Sequence, residues 1–235
     1  MRTIVKHTPN LLTCLNLFCG CLACIAALKG DFIHTTIWVV AGALFDFFDG
    51  LAARLMKVYS SIGKDLDSLA DMITFGLAPT FAVFTFLQLS LNQYDFSFVK
   101  FIPYIAFLLV VFSALRLAKF NVDDRQGSSF IGLPTPANAL FWVSLLAGLK
   151  GCLLTSIYTP VGIICLILLF SYLLIAEIPM FSLKVKDFSW NKNMLQYILV
   201  LCTLIFIALF HFGGISLGIF VYILMSVFSR YIQRK

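Results

Sequence analysis

Apolar stretches long enough to cross a bilayer recur from Leu11 to Ile232, and this recurrence limits the fold more than any other feature of the chain. A helix needs about 20 mostly apolar residues to span the hydrocarbon core. Eight segments answer that description, at about 11–28, 32–56, 62–88, 101–120, 134–153, 158–180, 194–211 and 214–232. Backbone groups inside lipid must satisfy one another, so the pattern predicts an all-α, polytopic membrane bundle. Composition points the same way. Of 235 residues, 61% are hydrophobic and 12% charged, too few polar side chains to cover a soluble globule. The first run is followed by others, which marks it as a retained span rather than a cleaved signal. Lys29-Gly30-Asp31 and Phe212-Gly213-Gly214 read as tight turns between antiparallel neighbours.

Charge gives an orientation. If every segment crosses once and the N-terminus is cytoplasmic, only Lys29, Lys100 and Lys150 of the 17 Lys and Arg fall on the outer side. That bias predicts cytoplasmic N- and C-termini. The net charge of +6 then belongs to topology and to contact with lipid headgroups, not to nucleic acid. Seven cysteines (Cys14, Cys19, Cys21, Cys24, Cys152, Cys165 and Cys202) sit in apolar stretches. The Cys21–Cys24 spacing has no His or acidic partner nearby, so these read as packing residues.

The second and third segments hold what hydrophobicity does not explain. Asp46, Asp49, Gly50 and Ala53 fall at i, i+3, i+4 and i+7, one helical stripe. Gly63, Asp67 and Asp71 form a second stripe at i, i+4 and i+8. A short connection around 57–61 lets the two face each other near the cytoplasmic surface. Solvated helix ends would account for two such aspartates. Four on converging stripes, among only 11 acidic residues, call for a ligand, because buried carboxylates repel and are costly in a membrane. An all-oxygen set without His or Cys suits Mg²⁺, Mn²⁺ or Ca²⁺ rather than zinc. Four carboxylates can bridge two ions, an arrangement suited to phosphoryl displacement. Gly50 and Gly63 bare the backbone to an anionic ligand, and Arg54 can pair with phosphate. Asp65 points off the stripe and reads as a surface charge.

Asp46 to Asp71 spells D-x2-D-G-x2-A-R-x8-G-x3-D-x3-D, which resembles the signature of the CDP-alcohol phosphotransferase family. The resemblance covers about residues 5–180. It implies a six-helix core over 1–180, with 181–235 adding two helices to the same membrane domain. It also implies transfer of a phosphate-linked group from a CDP-linked donor to an alcohol, with release of CMP. Carried over, Asp46, Asp49, Asp67 and Asp71 are metal ligands for two divalent ions, Mg²⁺ or Mn²⁺, and Asp71 is also the general base. Gly50, Arg54, Ser60 and Gly63 are expected at the CDP-diacylglycerol site. So are Asn10 and Thr13, in a segment similar to one that holds nucleotide in related enzymes, although Asn10 also suits a helix cap.

The stretches 67–79, 114–121 and 130–137 are similar to the phosphatidylserine synthase branch, which implies CDP-diacylglycerol as donor and L-serine as acceptor. Arg116, Lys119 and Arg125 are acceptor-binding candidates, as well as ordinary positive-inside residues. The family commonly forms homodimers, and small residues such as Gly42 and Ala43 can support close helix contact. The branch implies a bacterial or archaeal cytoplasmic membrane. Three other readings compete: a different alcohol acceptor (glycerol 3-phosphate or an inositol phosphate), a membrane prenyltransferase, and an ion-coupled transporter. Prenyltransferase motifs lie farther apart in the chain, and transporter carboxylates sit near mid-membrane.

Overall fold

The computed structural model describes residues 2–56, 61–92, 94, 97–123, 130–149, 158–180 and 190–233. Among them the chain forms eight helical rods. These are α1 (Arg2–Leu28), α2 (Phe32–Met56), a continuous rod of α3 (Ser61–Asp71), a π-helical turn (Met72–Leu77) and α4 (Ala78–Leu91), a 3-10 segment (Ser97–Ala106) running into α5 (Phe107–Val122), then α6 (Thr135–Gly148), α7 (Tyr158–Ile175), α8 (Trp190–Phe210) and α9 (Gly213–Gln233). A two-residue antiparallel pair joins β1 (Phe130–Ile131) to β2 (Pro179–Met180). The bundle is that of a multi-pass membrane protein. Its outer faces carry large exposed apolar side chains such as Phe18, Leu44, Phe101 and Leu204.

Five rods are long and apolar enough to cross a membrane: Thr8–Leu28, Phe32–Met56, Ile62–Leu91, Phe98–Val122 and Asn193–Phe210. Of the others, α6 and α7 end before their apolar runs do. Described α6 has 14 residues, about 21 Å at 1.5 Å per residue, against a core about 30 Å thick. Nine of those 14 residues are buried, so α6 is a core helix wrapped by its neighbours. α7 ends at Ile175 rather than 180, because Pro179 lacks an N–H and biases its predecessor to extended backbone. The freed strand pairs with β1. Gly132 turns the chain there with φ 78°, where a Cβ would sit 2.7 Å from the Leu174 carbonyl oxygen.

Helix starts follow local chemistry. Asp31 caps α2: its Oδ1 accepts the His34 N–H at 3.1 Å, and its carbonyl accepts the Thr35 N–H at 3.0 Å. α1 begins well before residue 11 and carries Pro9 inside it. Asn10 therefore lies within the helix and does not cap it.

The main core gathers α4, α5, α6, α7 and α9 around Trp142, Phe86 and Phe170. Phe141 stacks on Phe170 with ring centroids 4.1 Å apart. The last helix belongs to this core through Tyr222 and Ile223. It meets α6 backbone to backbone, since a Cβ on Gly148 would lie 2.7 Å from the Gly213 Cα. Gly42 is also spent inside the chain. It is buried on α2 beneath Thr74 and Asn16, and Ala43 packs against a second core cluster. Both residues make intramolecular contacts.

Candidate active site

α1 and α2 pack as an antiparallel pair, and the rod that begins with α3 lies across both. This brings the two acidic stripes together at the C-terminal end of α2. One carboxylate oxygen from each of Asp46, Asp49 and Asp67 lies within 4.8 Å of the others. Asp71 stands outside that triad but beside it, with Asp46 within hydrogen-bonding reach of both Asp67 and Asp71. Asp49 is the most enclosed, at 6% exposure.

α1 supplies the polar support. Buried Thr13 places Oγ1 2.6 Å from Asp49 Oδ2 and donates to that carboxylate; the Pro9 carbonyl lies 3.1 Å from the same hydroxyl. One turn on, fully buried Asn16 donates through Nδ2 to Asp71 Oδ1 at 3.3 Å. The Asn16 carbonyl accepts the Thr74 hydroxyl at 3.1 Å. Thr74 in turn fills the space left by Gly20 and Gly42. The π-helical turn starts directly after Asp71 and buries Thr74, Phe75 and Gly76. Such a turn needs one more residue than an α-helical turn, and it recurs at functional sites. α3 is also tied to the end of α5: Lys64 Nζ donates to the Asn121 carbonyl at 3.0 Å, and Asn121 Nδ2 to Ser68 Oγ at 2.8 Å.

The other sequence candidates occupy distinct surroundings. Gly50 faces open space, with nothing within 4 Å of where a Cβ would be. Arg54 is exposed and folds back over it, its Nε donating to the Gly50 carbonyl at 2.8 Å. Gly63 and Asn10 are half-buried, and Asp65 is exposed. Arg116 is buried on α5, where Nη1 donates to Thr135 Oγ1 at 2.8 Å and the guanidinium lies 5.3 Å from the Phe120 ring centroid. It is close enough to Asp71 to interact with its charge. Lys119 points elsewhere: it is exposed and pairs with Glu177 at 3.5 Å. Ser60 and Arg125 lie outside the described residues. His34 pairs with Asp31 at the opposite end of α2.

Asn16, Thr74, Thr135 and Asn138 are absent from the candidates that spacing suggests. Asn16 was findable, since it repeats the Thr13 position at i+3 on an otherwise apolar helix. Thr135 and Asn138 carry no such signal.

The triad offers only carboxylate oxygens, the donor type of hard divalent cations. Asp67 Oδ1 is buried with no hydrogen-bond partner among the described residues, as a ligand oxygen awaiting a cation would be. The residues fit a metal. An apolar groove of about 730 Å³ is lined by Phe47, Pro134, Leu140, Leu199, Leu204 and Tyr222, among others. Phe47 sits between two of the carboxylates in sequence.

The profile of the CDP-alcohol phosphatidyltransferase family fits residues 6–205, which carries the likeness past residue 180 into α8. The chain is 30% identical over 174 residues to a CDP-diacylglycerol–serine O-phosphatidyltransferase of Bacillus subtilis (strain 168), covering 74% of this chain and 89% of the relative. A Helicobacter pylori (strain ATCC 700392 / 26695) protein of the same name is 30% identical over 222 residues, 90% of this chain and 86% of its own. An archaetidylserine synthase of Methanothermobacter thermautotrophicus is 30% identical over 172 residues, 72% and 67%. With the profile spanning most of the chain and the aspartate signature folded into one cluster, the protein belongs to the CDP-alcohol phosphatidyltransferase family.

Proposed function

We propose that the protein transfers the phosphatidyl group of CDP-diacylglycerol to the hydroxyl of L-serine, giving phosphatidylserine and CMP, at the cytoplasmic face of the membrane. The observation that carries this reading is the acidic cluster itself, with Asp71 held by Asn16 beside the Asp46–Asp49–Asp67 triad. The relatives' names support the donor and the acceptor. The distribution of Lys and Arg supports the cytoplasmic orientation.

Asp46, Asp49 and Asp67, with Asp71 at their side, would hold Mg²⁺ or Mn²⁺. When bound, such ions neutralise the charge of a pyrophosphate. The remaining work falls to the chain. The open face of Gly50 lets a nucleotide diphosphate approach the backbone, and Arg54, with Asn10 and Thr13 across the cleft, orients it. The apolar groove takes an acyl chain, so the donor enters sideways from lipid. Asp71 accepts the proton of the serine hydroxyl. The oxygen bonds to the phosphorus that carries diacylglycerol, and the bond from that phosphorus to CMP breaks, with CMP keeping the electron pair. A positioned general base contributes about 10²–10⁴-fold, and fixed geometry contributes much of the rest.

The acceptor reading has its own support. Arg116 is the one Lys or Arg buried among the described residues. A single guanidinium matches one carboxylate, whereas a phosphate-bearing acceptor calls for more positive charge. The deciding experiment is an acceptor panel with purified protein, CDP-diacylglycerol and Mn²⁺. CMP release should depend on both serine and metal. Faster release with glycerol 3-phosphate or inositol phosphate than with serine would overturn the serine assignment.

A further inference from the structure

Eight buried side-chain polar atoms have no hydrogen-bond partner among the described residues. Two belong to the acidic cluster, on Asn16 and Asp67. The other six are on Ser113 and Arg116 of α5, Asn138 and Trp142 of α6, and Ser171 of α7. Native interiors rarely leave such groups unpaired, and each one exacts a desolvation cost. Asn138 stands out, because it is 0% exposed and both ends of its amide are unpartnered.

Resting on the serine reading above, we propose that Asn138 is a specificity-determining residue that recognises the α-ammonium group of the acceptor, beside Arg116, which takes its carboxylate. One contact and the helical spacing of α6 relate the two. Arg116 Nη1 donates to Thr135 Oγ1 at 2.8 Å, and Asn138 follows Thr135 at i+3, where side chains on a helix are neighbours. Arg116 Nε remains without a partner. The same guanidinium lies within electrostatic range of Asp71. The amide thus stands one helical turn from the hydroxyl that holds the cation.

The chemistry selects the ligand. An amino acid presents a donor, its ammonium, next to an acceptor, its carboxylate. An amide presents an acceptor oxygen next to a donor nitrogen, and a guanidinium only donors. Asn138 with Arg116 therefore complements a zwitterion, the Asn138 Oδ1 accepting from the ammonium. The ionised phosphate of a phosphorylated alcohol offers acceptors only, and in the place of the ammonium it would set an oxygen against Oδ1. The residue attracts one acceptor class and disfavours the other.

Steady-state kinetics on Asn138→Leu and Asn138→Asp test this in the full-length protein with saturating CDP-diacylglycerol and Mn²⁺. The acceptors are L-serine and 3-hydroxypropionate, which keeps the carboxylate and hydroxyl but lacks the ammonium. The second is followed as substrate or as competitor. Leucine has the same number and branching of side-chain heavy atoms as asparagine and removes the unpaired amide rather than exposing a new one. Asn138→Leu should raise the KM for serine about 10–100-fold, the cost of a charged hydrogen bond. It should leave the constant for 3-hydroxypropionate and the KM for the donor nearly unchanged. Asn138→Asp should keep the preference for serine. The inference is overturned if the serine-to-3-hydroxypropionate preference of Asn138→Leu equals that of the parent, or if both acceptors weaken in parallel. Should Asn138→Leu not fold, Asn138→Asp decides alone: a preference for serine at or above the parent's supports the assignment, and a preference lost overturns it. Parent protein that releases no CMP with serine rejects the serine reading itself, a result separate from these.

Discussion

Gly42 and Gly50 lie two turns apart on α2, and adding one methyl group to each should have opposite consequences. A Cβ at Gly42 would sit 2.6 Å from Thr74 Cγ2 and 3.0 Å from Asn16 Oδ1. Carbon atoms pack at about 3.5–4.0 Å, so Thr74 must retreat by about 1 Å. It has little room, because Gly20 backs it and its hydroxyl is bonded to the Asn16 carbonyl. Overpacking of this kind costs about 1–3 kcal/mol, while Gly→Ala inside a helix returns about 1 kcal/mol. Gly42→Ala should therefore lose about 0–2 kcal/mol of stability. Its larger effect reaches Asp71 through Asn16, and a displacement near 1 Å can lower turnover about 100-fold. At Gly50 the added methyl meets nothing within 4 Å. Gly50→Ala should fold at least as stably as the parent. It should keep turnover at saturating donor, yet raise the KM for CDP-diacylglycerol by occupying the face where the nucleotide approaches. The assay is CMP release against donor concentration in nanodiscs, with thermal unfolding recorded on the same samples. Unchanged turnover in a folded Gly42→Ala protein, or an unchanged donor KM in Gly50→Ala, would refute the reasoning for that position.

Three further outcomes are expected. Thr13→Val removes the 2.6 Å hydrogen bond to Asp49 while keeping the side chain's shape; groups that orient a ligand are worth about 10–100-fold in metal affinity, and a Mn²⁺ titration of CMP release should show that shift. Asp71→Asn should stop turnover while the folded protein still binds CDP-diacylglycerol, and CMP release near the parent rate would remove Asp71 from the role of base. Chelation with EDTA should halt CMP release and added Mg²⁺ or Mn²⁺ should restore it, whereas activity that persists in chelator would exclude the metal reading.

What the amino-acid order reveals here depends on how far each interaction reaches. The spacing of Asp46, Asp49, Asp67 and Asp71 is set within helices, so both acidic stripes and their meeting across a short connection are readable from one chain. The Phe32–Met56 helix is equally clear, because Gly30 and Asp31 punctuate its start and its apolar run continues to the end. Helix lengths are less so. An apolar run from 134 onward reads as about 20 residues of helix, but burial by neighbours makes a run hydrophobic as surely as lipid does, and of the 14 residues of described α6 nine are buried. The strand pairing of Phe130 with Met180 depends on partners 50 residues apart and has no local signature. The support of Asp71 by Asn16, and of Arg116 by Thr135, crosses from one helix to another. No periodicity within either helix announces those contacts.

The π-helical turn after Asp71 has a consequence for the rod that contains it. By spending an extra residue on one turn, the helix delays its own rotation, and every later side chain leaves at a different angle from the one an unbroken α-helix would give. Before the turn, the rod shows one carboxylate edge toward α2 and leaves Leu69 and Ile62 outside. After it, Ala78, Val83, Phe86 and Leu87 are enclosed. Two tasks with opposed surroundings, one ionic and one oily, thus occupy a single continuous column, because that column changes phase between them.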